Sequence, residues 1–106
     1  MPNIVAEDDV IIRAFQVILD PETNPERYAA IRDYYRVDLP DFDGWVESVR
    51  RASGVLFPAH FEMVSTIEAY HQALADADGI ICESFPVGEA ELGRAPNLKV
   101  VQKFGT

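Results

Sequence analysis

The first residues of the chain alternate short apolar runs with polar residues, and this pattern predicts a strand followed by a helix. Ile4-Val5-Ala6 is a short apolar run that can start a strand. Asp8 or Asp9 can cap a helix over residues 10–19, although the β-branched residues in this range leave a strand open as an alternative. Apolar residues recur there at helical spacing, at Ile11, Phe15 and Ile18.

Two further helices are predicted by their start signals. Asn24 followed by Pro25 is typical of a helix start, because Asn caps the first turn and proline suits the first helical position. This helix should run to about residue 35. After the break at Pro40, Asp41 or Asp43 can cap a third helix. Its apolar residues share one face, which should bring Trp45 into the core: Phe42, Trp45, Val46 and Val49.

The middle of the chain is interpreted as a short strand and a fourth helix. Gly54 should end the third helix, and the apolar run Val55-Leu56-Phe57 can form a strand. Ser65 and Glu68 have the spacing of a capping box, which predicts a helix from there to about residue 75. One face of that helix is apolar, with Ile67, Tyr70 and Leu74.

The last third has the clearest pattern. Residues 79–82 are continuously apolar, as expected of a strand that is buried on both faces. Residues 88–92 indicate a short helix, and residues 98–102 indicate another strand. A strand, a helix and a strand joined by short loops predict a parallel pair. The sequence therefore predicts an α/β fold with an open parallel sheet and flanking helices.

The net charge limits the kinds of partner that the chain can bind, and the cysteine content bears on its cellular compartment. The net charge is −9, so the phosphate backbone of nucleic acids and anionic membrane surfaces would repel the chain. No apolar run approaches the roughly 20 residues that a membrane span needs. The single cysteine, Cys82, excludes an intrachain disulfide and fits a reducing compartment. We expect a cytoplasmic protein that binds neither nucleic acid nor membranes.

Candidate chemistry lies at the carboxyl ends of the last two strands, because ligands of open parallel sheets bind there. In the first loop, Glu83 to Val87, Ser84 supplies a hydroxyl beside backbone amides that could take an anion. The second loop begins at Lys103, whose point charge suits a carboxylate. Neighbouring strands should bring the two loops side by side. In the alternative, structural interpretation, Ser84 and Pro86 are turn residues and Lys103 is a solvated charge.

Three consecutive runs in residues 77–106 resemble the D-isomer-specific 2-hydroxyacid dehydrogenases. The runs are ADGIICES at 77–84, VGEAEL at 87–92 and APNLKVVQKFGT at 95–106. Members of that family have an apolar strand ending in Ser, then a short helix. Ala-Pro-x-Leu-Lys follows, and leads into a strand that ends in a Gly-containing loop. Residues 1–76 fit the family only in the general order of their elements.

The resemblance implies that residues 1–106 are one flavodoxin-like domain fragment. It would be the front of a substrate-binding domain, truncated before the Rossmann domain that binds NAD or NADP. The two loops would border a small 2-hydroxy or 2-oxo carboxylate, and Gly105 would let the backbone approach it closely. Relatives with phosphorylated substrates carry Arg where this chain has Glu83 and Lys103, which disfavours such a substrate here. Family members are usually dimers, so a homodimer is also implied. The implied substrate-binding residues are Ser84, Phe85, Pro86, Val87, Lys103, Phe104, Gly105 and Thr106.

The residues that transfer hydride in this family, an Arg, an acidic residue and a His, would lie beyond residue 106. No Gly-rich cofactor loop of the form G-x-G-x-x-G occurs in the sequence. His60, expected in a loop, and His71, expected in mid-helix, are interpreted as ordinary residues. Together with Cys82 they match no zinc spacing, so no metal site is expected. This chain alone is therefore expected to contain no catalytic residue and to be inactive.

Two other functions remain as alternatives. Asp8 and Asp9 after the first strand are similar to the acidic pair that holds Mg²⁺ in response-regulator receiver domains. The strand ends at residues 55–59 and 82–84 lack the Asp that such a domain phosphorylates. A truncated domain could also serve as a non-catalytic interaction module, because it would leave apolar surface uncovered.

Overall fold

The computed structural model of the chain describes residues 1–104, which form a parallel sheet between two layers of helices. The strands are β1 (Asn3–Glu7), β2 (His60–Val64), β3 (Gly79–Cys82) and β4 (Val100–Lys103). The helices are α1 (Val10–Leu19), α2 (Pro25–Tyr34), α3 (Phe42–Ala52), α4 (Ile67–Ala73) and α5 (Glu89–Arg94). Short 3₁₀ turns at Gly54–Leu56 and Leu74–Asp76 follow α3 and α4.

The sheet has the strand order β2-β1-β3-β4, and each neighbouring pair is parallel. β1 therefore lies inside the sheet, between β2 and β3, while β2 and β4 form its edges. This arrangement confirms the predicted α/β fold, a flavodoxin-like open parallel sheet with flanking helices. The predicted parallel pairing of the last two strands is also confirmed, with Gly79 level with Val100 and Cys82 level with Lys103.

The two faces of the sheet bury separate apolar layers, because successive side chains of a strand point to opposite faces. On one face, Val5 and Ile80 pack with Tyr70 and Leu74 from α4 and the turn after it. On the other face, the apolar residues of β1, β2 and β3 pack against α1 and α3: Ile4, Ala6, Phe61 and Ile81 meet Ile12, Ile18 and Trp45.

The helix starts follow the local signals in the sequence. The side chains of Asp9, Asn24 and Asp41 cap α1, α2 and α3 by accepting hydrogen bonds from backbone amides in the first turn. Trp45 lies half-buried between two apolar clusters, in agreement with its predicted place in the core. Among the helices of residues 1–104, none is both long and apolar enough to cross a membrane.

Four local predictions were wrong. Residues 55–57 do not form a strand, because Gly54 adopts a positive φ of 58° and starts a 3₁₀ turn. The strand follows as β2 and includes His60, which was expected in a loop. Thr66, and not Ser65, caps α4 by accepting from the Ala69 amide. The buried face of α1 is rotated from the predicted one, so that Ile12 is buried and Ile11 exposed.

Candidate functional site

The loop after β3 gathers its backbone amides on one carboxylate. The amides of Glu83, Ser84 and Phe85 donate to Oε1 of Glu7 at 3.0, 2.9 and 3.1 Å. The Ser84 hydroxyl donates to Oε2 of the same side chain at 2.6 Å. We call these three amides and this hydroxyl the amide cradle. Successive backbone N–H groups that converge in this way form an anion-binding concavity.

The strand order brings Glu7 to the cradle. β1 and β3 are hydrogen-bonded neighbours, and Ala6 is level with Ile81. Glu7, the last residue of β1, therefore stands beside the point where the chain leaves β3 for the loop. Its side chain reaches a loop that lies more than 70 positions along the chain, with a separation of 76 residues between Glu7 and Glu83.

The carbonyl side of the same loop is held by three other side chains. Lys103 Nζ donates to the carbonyl oxygen of Phe85 at 2.7 Å, and the Tyr70 hydroxyl donates to the carbonyl oxygen of Pro86 at 2.8 Å. The Cys82 thiol also points at the Phe85 carbonyl, with Sγ 3.6 Å from the oxygen. The Phe85 ring lies 4.9 Å from that of Tyr70, centroid to centroid. With its carbonyls fixed on one side, the loop presents its amides on the other.

The charges around the cradle act in opposite directions. Partial burial by itself raises the pKa of Glu7. The hydrogen bonds from the Ser84 hydroxyl and the three amides outweigh that effect and lower the pKa below its ordinary value of 4.5. The side chain of Glu83 lies near Asp9, whose negative charge raises the pKa of Glu83. The site therefore stabilises a negative charge inside the cradle and disfavours one beside it.

The residues that the sequence singled out fall into different roles. Ser84 belongs to the cradle, and Lys103 touches the same loop from the neighbouring strand, so the expected meeting of the two loops is confirmed. The other side chains of the first loop differ: Phe85 is buried, Val87 packs against the core and Pro86 is exposed. Phe104 packs on Phe15, with ring centroids 5.6 Å apart. Gly105 and Thr106 lie outside the described residues.

Glu7 was missed as a site residue. The sequence offered one signal for it, an acidic residue directly after a short apolar strand. In the flavodoxin-like strand order the first strand is a neighbour of the third. That order would have put Glu7 beside the loop after residues 79–82.

The remaining polar candidates have structural partners. Asp9 caps α1, and Asp8 pairs with Arg13, with 2.6 Å between Oδ1 and Nε. His71 Nε2 lies 2.9 Å from a carboxylate oxygen of the buried Glu91, which joins α4 to α5. Burial raises the pKa of the Cys82 thiol above 9.0, as for an unreactive core cysteine. Within residues 1–104, no three His, Cys, Asp or Glu side chains are grouped to hold a metal ion.

Comparison of the chain with protein-family models, with curated proteins and with solved structures gives no match. The resemblance to the 2-hydroxyacid dehydrogenases therefore rests on residues 77–106 alone. The geometry of the site does not depend on it. The loop after β3 donates four hydrogen bonds to the Glu7 carboxylate at the carboxyl ends of β1 and β3, and Lys103 stands on the adjoining strand.

Proposed function

We propose that this chain is the front part of the substrate-binding domain of an NAD(P)-dependent D-2-hydroxyacid dehydrogenase. In this proposal the amide cradle binds the carboxylate of a small 2-hydroxy or 2-oxo acid. The observation that carries it is the convergence of three backbone amides and one hydroxyl on the carboxylate of Glu7. The resemblance in residues 77–106 supplies the enzyme class, and the strand-end position of the cradle agrees with it.

The geometry favours a small carboxylate over a phosphate. One carboxylate oxygen can accept several hydrogen bonds, and charge-assisted bonds of this kind are the strong ones. A phosphate would bring more negative charge next to Glu83 and Asp9, where Lys103 of the second loop supplies one compensating charge. Lys103 donates to Phe85 through one of its three ammonium protons, so it can also attract a bound anion.

The proposal extends to the rest of the enzyme. NAD or NADP would be bound outside residues 1–106, and the residues that transfer hydride would also lie elsewhere. This chain by itself would then bind the acid without oxidising it. A cytoplasmic location and a homodimer belong to the same proposal. No observation favours the receiver-like alternative, because Asp8 and Asp9 serve an ion pair and a helix cap.

Binding of a small 2-oxo acid to the isolated chain tests the proposal. Amide NMR spectra of the isotope-labelled chain are recorded during titration with sodium pyruvate, and separately with sodium D-lactate. We expect saturable shifts of the Glu83, Ser84 and Phe85 amides with both acids. The uncharged lactamide is the matched control and should shift none of these amides. Spectra in which the three amides stay unchanged with both acids would contradict the proposed function.

Two lysine variants distinguish a specific contribution of Lys103 to pyruvate binding from the effect of removing any positive charge. Lys103→Met removes the ammonium group beside the cradle and should weaken pyruvate binding by about threefold, as an exposed charge contact would. Lys99→Met removes the same charge at the other end of β4, where Lys99 lies near Asp78, and should leave binding unchanged. Equal weakening in both variants would remove Lys103 from the site.

A further inference from the structure

The Glu7 carboxylate stands where the carboxylate of a ligand would bind. It uses all three amides of the cradle and the Ser84 hydroxyl, so a second carboxylate has no free donor there. The proposed function therefore requires that Glu7 leave before a ligand can bind. The inference below rests on that proposed function.

We propose that Glu7 is an internal competitor, which closes the amide cradle in the free chain and leaves it in exchange for the carboxylate of a ligand. The exchange replaces one carboxylate by another on the same four donors. No amide of the loop is then left without an acceptor in either state, which avoids the cost of an unpaired polar group. A ligand without a negative charge gains no such exchange and should leave Glu7 in its place.

The surroundings of Glu7 allow its side chain to leave without disturbing the sheet. Its backbone is level with Val64 in the pairing of β1 with β2, and the next amide, that of Asp8, donates to the Val64 carbonyl. Glu7 is only half-buried. Among residues 1–104, no lysine or arginine forms an ion pair with it. The side chain can therefore rotate into solvent while β1 stays paired.

The tether makes Glu7 an effective competitor despite its exposure. A group that is linked to its binding site acts at an effective concentration on the order of millimolar or higher. A free carboxylate must compete with the tethered Glu7 carboxylate for the amide cradle, so the wild-type chain should bind it weakly. Glu83 works against the closed state, because its negative charge lies near that of Glu7. Removing the Glu7 carboxylate should therefore open the cradle and tighten the binding of external carboxylates.

The test measures acetate binding to the chain and its variants by the shifts of the Ser84 and Phe85 amides. Glu7→Ala empties the cradle and should bind acetate about tenfold more tightly than the wild type, or more. Glu7→Gln keeps a neutral acceptor in the cradle and should give a smaller gain. Glu62→Gln removes an exposed glutamate from β2 and should bind acetate as the wild type does. Glu83→Gln removes a charge beside an occupied cradle and should give a gain well below that of Glu7→Ala.

The outcomes distinguish this inference from the proposed function. Equal acetate binding by the wild type and Glu7→Ala would overturn the internal competitor and leave carboxylate binding intact. If Glu83→Gln tightens acetate binding as much as Glu7→Ala does, the internal competitor is also overturned. The loss of any negative charge near the cradle would then explain the tighter binding. Absence of acetate binding in every folded variant would overturn the site itself, and with it both proposals.

A second measurement covers the case in which Glu7→Ala does not fold. The pKa of the Glu7 carboxyl is followed by carbon NMR in the wild-type chain, with and without saturating pyruvate, a stronger acid than acetic acid that stays ionised over this titration. Displacement should raise the pKa from its lowered value toward the ordinary 4.5. A pKa that stays low while pyruvate shifts the cradle amides would also overturn the competitor.

Discussion

At the scale of the residue, the hydrogen bonds of Glu7 predict how the stability of the fold depends on pH. The folded-state pKa of Glu7 lies below its ordinary value of 4.5, so its contribution to stability is present above that value. The contribution is lost as the pH falls through the lowered folded-state pKa. We expect Glu7→Gln to destabilise the fold near pH 7 and to match the wild type more closely at about pH 3. Urea unfolding midpoints at both pH values measure the difference.

Glu83 provides the control for this pH dependence, because its pKa is shifted in the opposite direction. Its pKa is raised by the charge of Asp9, so its charged form opposes folding near neutral pH. Glu83→Gln should therefore leave the stability near pH 7 unchanged or slightly higher. An unfolding midpoint for Glu7→Gln equal to that of the wild type near pH 7 would show that the cradle bonds add nothing to stability.

The site residues differ in how far the sequence could predict them. Ser84 and Lys103 each lie two positions after the end of an apolar run, and a strand-end rule was enough to single them out. The same rule applies to Glu7, which directly follows a short apolar run, but its partner is a loop 76 residues away and only the strand order joins them. The hydrogen bond of Lys103 was not predicted either, since its acceptor is the backbone carbonyl of Phe85.

At the scale of the element, Asp20 joins the end of α1 to the edge strand β2. It is 5% exposed, and its carboxylate accepts from the amides of Glu22 at 2.9 Å and Phe61 at 3.0 Å. Asp20→Ala leaves both amides without this acceptor and should destabilise the fold by about 2 kcal/mol. Asp20→Asn keeps one acceptor oxygen and should cost less. Urea unfolding measures both changes.

The matched control for Asp20 is Asp33→Ala on α2, where an exposed aspartate pairs with the nearby exposed Arg36. Its removal should change the free energy of unfolding by no more than about 0.5 kcal/mol, as is usual for surface positions. Similar losses in Asp20→Ala and Asp33→Ala would mean that the link between α1 and β2 carries no particular stability.

The elements themselves were predictable where one signal was strong. The caps of α2 and α3 and the fully buried β3 followed from a few residues each. β2 was missed because residues 55–57 are the more apolar run, yet Val55 is 90% exposed after the turn at Gly54. The true strand alternates only over its first three residues, where Phe61 is buried between the exposed His60 and Glu62. An edge strand of five residues gives too short a pattern to compete with such a run.

At the scale of the whole molecule, the parallel pairing of β3 with β4 followed from local patterns in the sequence, but the complete strand order did not. It depends on β2, which pairs with β1 and leaves the other side of β1 to β3. This order gives the loop after β3 two neighbours at once, Glu7 from β1 and Lys103 from β4. The candidate site is therefore a property of the assembled sheet, although each of its residues is part of a local pattern.

The charge of the whole molecule gives a last prediction, on salt. A net charge of −9 on a chain of 106 residues should destabilise the folded state by self-repulsion, because folding brings the acidic side chains together. The Debye length falls from about 30 Å at 0.01 M salt to about 10 Å at 0.1 M, which screens most of this repulsion. We expect the urea unfolding midpoint to rise over this range of sodium chloride. Exposed ion pairs such as Arg36 with Asp33 weaken in salt, but each contributes little.

A variant with two negative charges fewer separates self-repulsion from other effects of salt. Glu62→Gln combined with Asp38→Asn changes two exposed residues that lie outside the amide cradle. The double variant should be more stable than the wild type at low salt, and its midpoint should rise less as salt is added. A midpoint that falls with salt in the wild type would mean that favourable pairs, with Asp8 and Arg13 foremost, outweigh the repulsion. The negative charges of the chain would then not destabilise the folded state on balance, because favourable ion pairs would offset their repulsion.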